Sequence, residues 1–227
     1  MSSTATWSYS AVQSFETCPR RHNLTKVAKI IVEPASKAMI DGRAVHKAME
    51  DGVNGKVIPN AYAYLKPIIH RIRGTEGQKQ TERRWGLTKN LTPCEFFAKD
   101  VWVRGVFDIA IVRPNMVIVL DYKTGKVKSD SDQLKLFAVA AFALYPFAEK
   151  VKTGYLWLDS GKITEETYLR EDVGPIWQEF MPRVERLARA LNEGDWEPRP
   201  SGLCGWCPVG RDRCEFHKGF KGENHRG

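Results

Sequence analysis

The sequence predicts a mixed α/β fold in which one central sheet is flanked by helices. Three observations lead there. Segments 101–112 and 116–123 are rich in β-branched and aromatic residues and are separated by Pro114-Asn115. An apolar stretch of helical length follows them, and a long helical pattern closes the periodic part of the chain. The resulting order is helices, strands, a helix, more strands and a helix, which suits a sheet layered between helices.

Each element has its own signal. Ser8 or Ser10 caps a first helix reaching about Cys18, since Val12, Phe15 and Cys18 recur at helical spacing. Pro19 ends it or turns the chain. A second helix spans about Ser36 to Asp51 with Met39, Ala44, Val45 and Met49 as apolar positions, and a third about Ala61 to Arg73. The strands at 101–112 and 116–123 are joined closely enough to form a hairpin. Residues 130–145 read as a buried helix, and 152–158 and 163–169, split by Asp159-Ser160-Gly161, as a further strand pair. A helix over about 172–192 ends near Gly194. From Trp196 the chain is rich in Pro, Gly and Cys and has no period. The expected organisation is a single domain over 1–217, with its core at about 36–192, terminal segments 8–21 and 196–217, and a loose polar tail at 218–227.

The 227 residues, 42% of them apolar, are enough to bury a sizeable core. No stretch approaches the roughly 20 apolar residues of a membrane span. Residues 1–10 lack the basic and apolar regions of a signal peptide, so the expected location is the cytoplasm, where thiols stay reduced. The net charge of +8 suits a polyanionic partner, although by itself it describes no more than a basic surface.

Chemistry concentrates at the end of the second strand. Alternation puts Val117, Val119, Asp121 and Lys123 on one face, and Ile118, Leu120 and Tyr122 on the other. A carboxylate at the end of an apolar strand costs free energy unless it binds a metal or a partner. Asp108 lies on the preceding strand among Phe107, Ile109 and Ile111, and a hairpin can bring the two aspartates together. A divalent cation relieves their repulsion, and hard oxygen ligands suit Mg²⁺ or Mn²⁺. A bare Asp-x-Lys also describes an ordinary surface ion pair, so context decides.

Gly105-Val-Phe-Asp108, a turn, and Val117-Ile-Val-Leu-Asp-Tyr-Lys-Thr-Gly125 together resemble the nuclease domain of the RecB family, within the PD-(D/E)XK superfamily. The resemblance implies a restriction-endonuclease-like core, Asp108 and Asp121 as metal ligands and Lys123 as the catalytic lysine. It extends to four further segments. The opening segment is matched from Ser8-Tyr-Ser10 through Phe15 to Cys18-Pro19. Gly42-Arg-Ala-Val-His46 resembles the motif whose histidine adds a metal ligand, and Glu82 sits where several branches carry an acid. Gln133-Leu134 resembles the glutamine motif that orients DNA, with Phe137 where a tyrosine is usual, so a hydroxyl is lost there. Each has a plainer alternative: a structural histidine, a surface charge beside Arg83-Arg84, a helix-start glutamine. Tyr122 and Phe137 read as core.

Five cysteines in a reducing compartment point to metal before disulfide. Cys204-Gly-Trp-Cys207 with Cys214 gives three thiolates; the resemblance implies the distant Cys18 as a fourth, since one N-terminal and three C-terminal cysteines is a pattern of iron–sulfur members of this family. Four thiolates suit either a [4Fe–4S] cluster or structural Zn²⁺. The resemblance favours iron–sulfur. The expected job of the site is to staple the terminal segments, since the tail offers little core of its own, with His22 and His217 as substitute ligands if the ion is zinc. Cys94 is left over. Arg20, Arg21, Lys126, Lys128 and Arg211 are candidate phosphate contacts.

The expected activity is hydrolysis of phosphodiester bonds from ends of linear DNA, in recombination, phage DNA processing or CRISPR adaptation. The substrate would be single-stranded DNA or a duplex end, and a recombination or adaptation protein a candidate partner. A structure-selective endonuclease and a non-catalytic DNA-binding module with a relic site are the alternatives.

Overall fold

A computed structural model describes residues 6–125 and 132–217. Among them no helix is long and apolar enough to cross a membrane. The chain divides into two compact units, one made of Met1–Pro34 with Met181–Gly227 and the other of Ala35–Phe180.

The larger unit holds a six-stranded sheet in the order β2-β1-β3-β4-β5-β6, formed by β1 (Gln78–Leu87), β2 (Pro93–Cys94), β3 (Val103–Val112), β4 (Met116–Lys123), β5 (Lys150–Trp157) and β6 (Lys162–Leu169). β3 and β4 form the expected antiparallel hairpin. β4 and β5 are parallel, joined through helix α5 (Asp132–Leu144), so the sheet is mixed. α5 buries Leu134 and the run Leu136 to Phe142, which explains its lack of an amphipathic period. Helices α3 (Lys37–Val53) and α4 (Lys66–Gly74) cover a core of Ile109, Ile111, Leu120, Tyr122, Leu156 and Leu158.

Ser36 caps α3 by accepting the Met39 N–H at 3.2 Å. The third expected helix is split: residues Asn60–Leu65 form a 3₁₀ turn, and α4 starts only at Lys66, where Pro67 occupies the first turn. β1 carries no strand signal in the sequence. Its sequence, QKQTERRWGL, is polar along most of its length and lacks the alternation that marks a half-buried strand. Gly105 on β3 faces Trp85 of β1 so closely that an added Cβ would lie 2.5 Å from the indole. The Gly-Val-Phe-Asp segment therefore needs its glycine for packing.

In the smaller unit α1 (Tyr9–Thr17) is capped by Ser8 and buries Val12 and Phe15. Pro19 does not stop the chain's helical course: it opens α2 (Pro19–His22), whose first turn has no use for the missing N–H. Arg183 of α6 (Val173–Glu193) grips Glu16 through Nε at 2.8 Å and Nη2 at 2.7 Å, and Arg186 adds a 3.2 Å contact. Burial raises the Glu16 pKa, but the two guanidiniums outweigh it and hold the carboxyl below its usual range.

Candidate active site

The hairpin opens where the chemistry lies. β3 and β4 pair from Val112↔Val117 to Ile109↔Leu120. Beyond that point the Asp108 carboxylate takes the place of the ladder, its Oδ2 accepting the Tyr122 N–H at 2.6 Å. The β1–β3 ladder is interrupted at the same level. Thr81↔Ile109 and Arg83↔Phe107 are paired, and Glu82 between them adopts φ +48°. A non-glycine residue pays about 1–2 kcal/mol for that left-handed conformation.

The kink resets the strand's alternation. Gln80 accepts a 2.6 Å hydrogen bond from the Tyr145 hydroxyl, and burial raises the pKa of that hydroxyl while Arg83 acts on it to pull it down. In an unbroken strand residues 80 and 83 would face opposite sides. On β3, Phe107 packs edge-on against Phe137 of α5 at 5.1 Å, while Ile109 joins the core under α3 and α4. Between these positions Glu82 and Asp108 turn towards His46 of α3.

One ligating atom each from His46, Glu82 and Asp108 lie within 4.8 Å of one another. His46 Nδ1 is 3.4 Å from Asp108 Oδ1, and its ring meets Tyr122 edge-on at 5.6 Å. Burial lowers the His46 pKa, but Asp108, Asp121 and Glu82 together overcome this and raise it. Burial and the Asp108 charge raise that of Glu82, against the opposing pull of His46. Two carboxylates and an imidazole whose charges need balancing form a donor set that fits a divalent cation.

A second group comes from β4 and α5. Lys123 Nζ lies 2.6 Å from Asp121 Oδ2, an ion pair without the angle of a hydrogen bond. Gln133 joins the two: its Nε2 donates to Asp121 Oδ1 at 2.9 Å, and its Oε1 accepts from Lys123 Nζ at 3.2 Å. One amide orientation satisfies both partners. The ammonium also stands 4.9 Å from the centre of the Tyr155 ring on β5. Asp121 is 6% exposed, and burial, then repulsion from Asp108, raises its pKa to about 6 despite Lys123.

That shift sets a pH dependence. The folded-state pKa of Asp121 exceeds its unfolded value, so its contribution favours folding in acid and is lost as pH rises from about 4 towards 6. A divalent cation that ligates Asp121 favours the carboxylate and opposes this loss. The rise in unfolding temperature caused by Mg²⁺ or Mn²⁺ is therefore expected to be larger at about pH 7.5 than at about pH 5. Equal rises in a differential scanning experiment would show that the ion does not engage this carboxylate.

The structure thus brings His46, Glu82, Asp108, Asp121, Lys123 and Gln133 together around the point where β3 and β4 part. Glu82, the residue with the weakest sequence signal, belongs to the group of ligating atoms that fits a metal ion. Tyr122 and Phe137 are buried at 2% and 4% exposure, as expected of core residues. Gly42 has no packing reason to be glycine, since an added Cβ would meet nothing within 4 Å; it lines an open groove with Arg43, His46, Glu82 and Arg84. Tyr155 and Arg84 were not anticipated, because their positions depend on strand register.

In the smaller unit, Cys18, Cys204, Cys207 and Cys214 all line one cavity, together with His217. Cys18 Sγ accepts the Arg199 N–H at 3.5 Å and Cys204 Sγ that of Ser201 at 3.3 Å. Burial raises the Cys207 pKa, and the neighbouring Cys18 and Cys214 add to the rise. His22 is packed against the Phe15 and Trp196 rings instead. Cys94 belongs to β2 in the other unit. Arg20 is paired with Glu215 and Arg21 with Glu33 at 2.6 Å, whereas Arg211 is exposed. Lys126, Lys128 and the 218–227 tail lie outside the described residues.

The chain is similar in sequence and in fold to known proteins. The pattern of the PD-(D/E)XK nuclease superfamily matches residues 6–215. "Gene 69 protein" of Mycobacterium phage L5 is 32% identical over 110 residues, an alignment covering 47% of this chain and 38% of that protein. The chain therefore spans well under two thirds of that relative. A solved structure from Eubacterium rectale described as "Putative exonuclease" superposes with a TM-score of 0.54 at 15% identity, covering 92% of this chain and 89% of the other. That of SSO0001 gives a TM-score of 0.46 at 18% identity, over 93% and 87% of the two chains.

Proposed function

The chain belongs to the PD-(D/E)XK nuclease superfamily, and from that membership we propose that it is a divalent-metal-dependent deoxyribonuclease acting on ends of linear DNA. The observation that carries the reading is the convergence of Asp108, Glu82 and His46 beside a lysine held by Asp121 and Gln133. Asp108, Asp121 and His46 would hold Mg²⁺ or Mn²⁺, and Glu82 is placed to join them. The ion would supply Lewis-acid polarisation of a phosphate and acidification of water.

The protein's own groups have separable tasks. Lys123 presents an N–H donor and a positive charge at the mouth of the site, where it can orient attacking water and offset charge gathering on the phosphate. Asp121 and Gln133 fix the ammonium in place, and the Tyr155 ring limits its swing. The Asp108 bond to the Tyr122 amide locks one carboxylate oxygen, leaving Oδ1 facing His46.

We further assign a [4Fe–4S] cluster to Cys18, Cys204, Cys207 and Cys214. Four thiols around one cavity, two of them accepting backbone N–H groups, fit such a group. Tetrahedral zinc with Zn–S bonds of about 2.3 Å would bring the sulfurs to about 3.8 Å from one another. Such an ion on the same four thiols is the alternative, and analysis for iron, sulfide and zinc separates the two. The likeness to a phage-encoded protein favours phage DNA processing as the setting.

The test is digestion of end-labelled linear DNA and closed circular DNA with Mg²⁺, Mn²⁺ or EDTA. Metal-dependent loss of the linear substrate alone is expected. Cutting of the circle would replace the exonuclease with an endonuclease, and inertness of the cluster-loaded protein on both would remove the catalytic reading.

A further inference from the structure

The connection between β2 and β3 carries two adjacent phenylalanines that the core does not use. Phe97 is 73% exposed, and Phe96, half-buried, meets it edge-on at 4.9 Å. Two guanidiniums frame the pair. Arg104 lies 4.9 Å from the centre of the Phe96 ring and 5.3 Å from that of Phe97, and its Nη1 donates to the Phe96 carbonyl at 3.3 Å. Arg84 lies 5.6 Å from the Phe96 ring.

Arg84 also lines the open groove that contains His46 and Glu82. The aromatic pair is therefore continuous, through one arginine, with the candidate metal ligands. Arg104 stands four residues from Asp108 on β3, about 13 Å at the usual strand rise of about 3.3 Å per residue. That distance is about four nucleotides at a stacked spacing of about 3.4 Å.

From this placement we propose that Phe97, backed by Phe96, Arg104 and Arg84, is a stacking platform for an unpaired base of the DNA strand entering the site. An exposed phenyl costs free energy in water and gains from a π-face, and every base offers one whatever the sequence. The arginines match the phosphates on either side and are held in place by the rings they cover. Bases inside a duplex are already stacked and cannot use the platform, so it selects a single strand or a frayed end. The proposal rests on the nuclease reading for its ligand and adds strand preference to it.

The test separates the two. Binding of a fluorescent oligothymidylate and of a blunt duplex is measured with Ca²⁺ replacing the catalytic ion, so that no cleavage is needed for the readout. Phe97→Ala is expected to weaken single-strand binding about tenfold, equivalent to about 1.4 kcal/mol, with duplex binding and unfolding temperature unchanged. Phe97→Trp should restore or exceed wild-type binding. Wild-type single-strand affinity in Phe97→Ala, or equal losses on strand and duplex, would overturn the platform whether or not the protein cuts DNA. Failure of the nuclease reading shows instead as an absence of metal-dependent cleavage in the wild type.

Discussion

Replacing Lys123 by alanine is expected to slow phosphodiester hydrolysis by about 10²- to 10³-fold, the usual consequence of removing one preorganised donor from a charge-developing site. The ammonium is held by an ion pair to Asp121, a hydrogen bond to Gln133 and the Tyr155 ring, so its position does not await the substrate. Its loss deprives Asp121 of its compensating charge in a buried setting, which pushes that carboxyl further towards its neutral form. A bound divalent ion counters this, so metal affinity should fall less than the rate does. Lys123→Arg is the informative companion. It keeps the charge but replaces a compact donor with a wide, planar one, and recovery of most of the rate would assign Lys123 to charge neutralisation alone. Single-turnover cleavage of end-labelled DNA, with metal binding followed by calorimetry, reads both quantities. A rate in Lys123→Ala within about threefold of wild type, less than 1 kcal/mol, would remove the lysine from the chemistry.

Asp108, Asp121 and Lys123 could be read from the sequence because polar groups interrupt apolar strands there, and a hairpin brings such interruptions together. The helix around His46 and the succession β4, α5, β5 were legible for similar reasons, through Ser36, the buried face of α3 and the apolar run of α5, whereas the parallel pairing of β4 with β5 was not. Nor was β1. A strand whose residues are mostly charged or amide-bearing gives no alternation to find, and its place in the sheet rests on backbone pairing with β3 along nine positions. The consequence reached the site. Glu82 carried only a positional resemblance, because what aims it at His46 is a left-handed backbone angle that its side chain does not encode. The aromatic pair at Phe96 and Phe97 was hidden in the same way: in sequence the two residues lie in a polar connection, and only the β1–β3 register brings Arg84 and Arg104 to them.

Substituting serine at Cys204 is expected to have the second large effect, on the unit formed by Met1–Pro34 and Met181–Gly227. The apolar residues buried there include Trp7, Val12, Phe15, Val184, Leu187, Ala190 and Val209, a modest core for two distant pieces of chain. Arg183 and Arg186 on Glu16 add a partly exposed ion-pair network, which is worth little beside a core. Metal–thiolate binding at the proposed four-cysteine site would be the larger resource, since structural zinc sites reach about 10–16 kcal/mol and couple directly to folding. Serine ligates poorly, so Cys204→Ser should lose the cluster's iron and sulfide and expose residues 196–217 to limited proteolysis. Ala35–Phe180, whose sheet has its own core, should keep its protection. Cys94→Ser, outside the cavity, is the control and should change neither metal content nor proteolysis. Stoichiometric zinc in the wild type would replace the cluster with a tetrahedral ion. A wild-type protein with neither metal, and a Cys204→Ser variant equally resistant to protease, would leave the four thiols without a structural role.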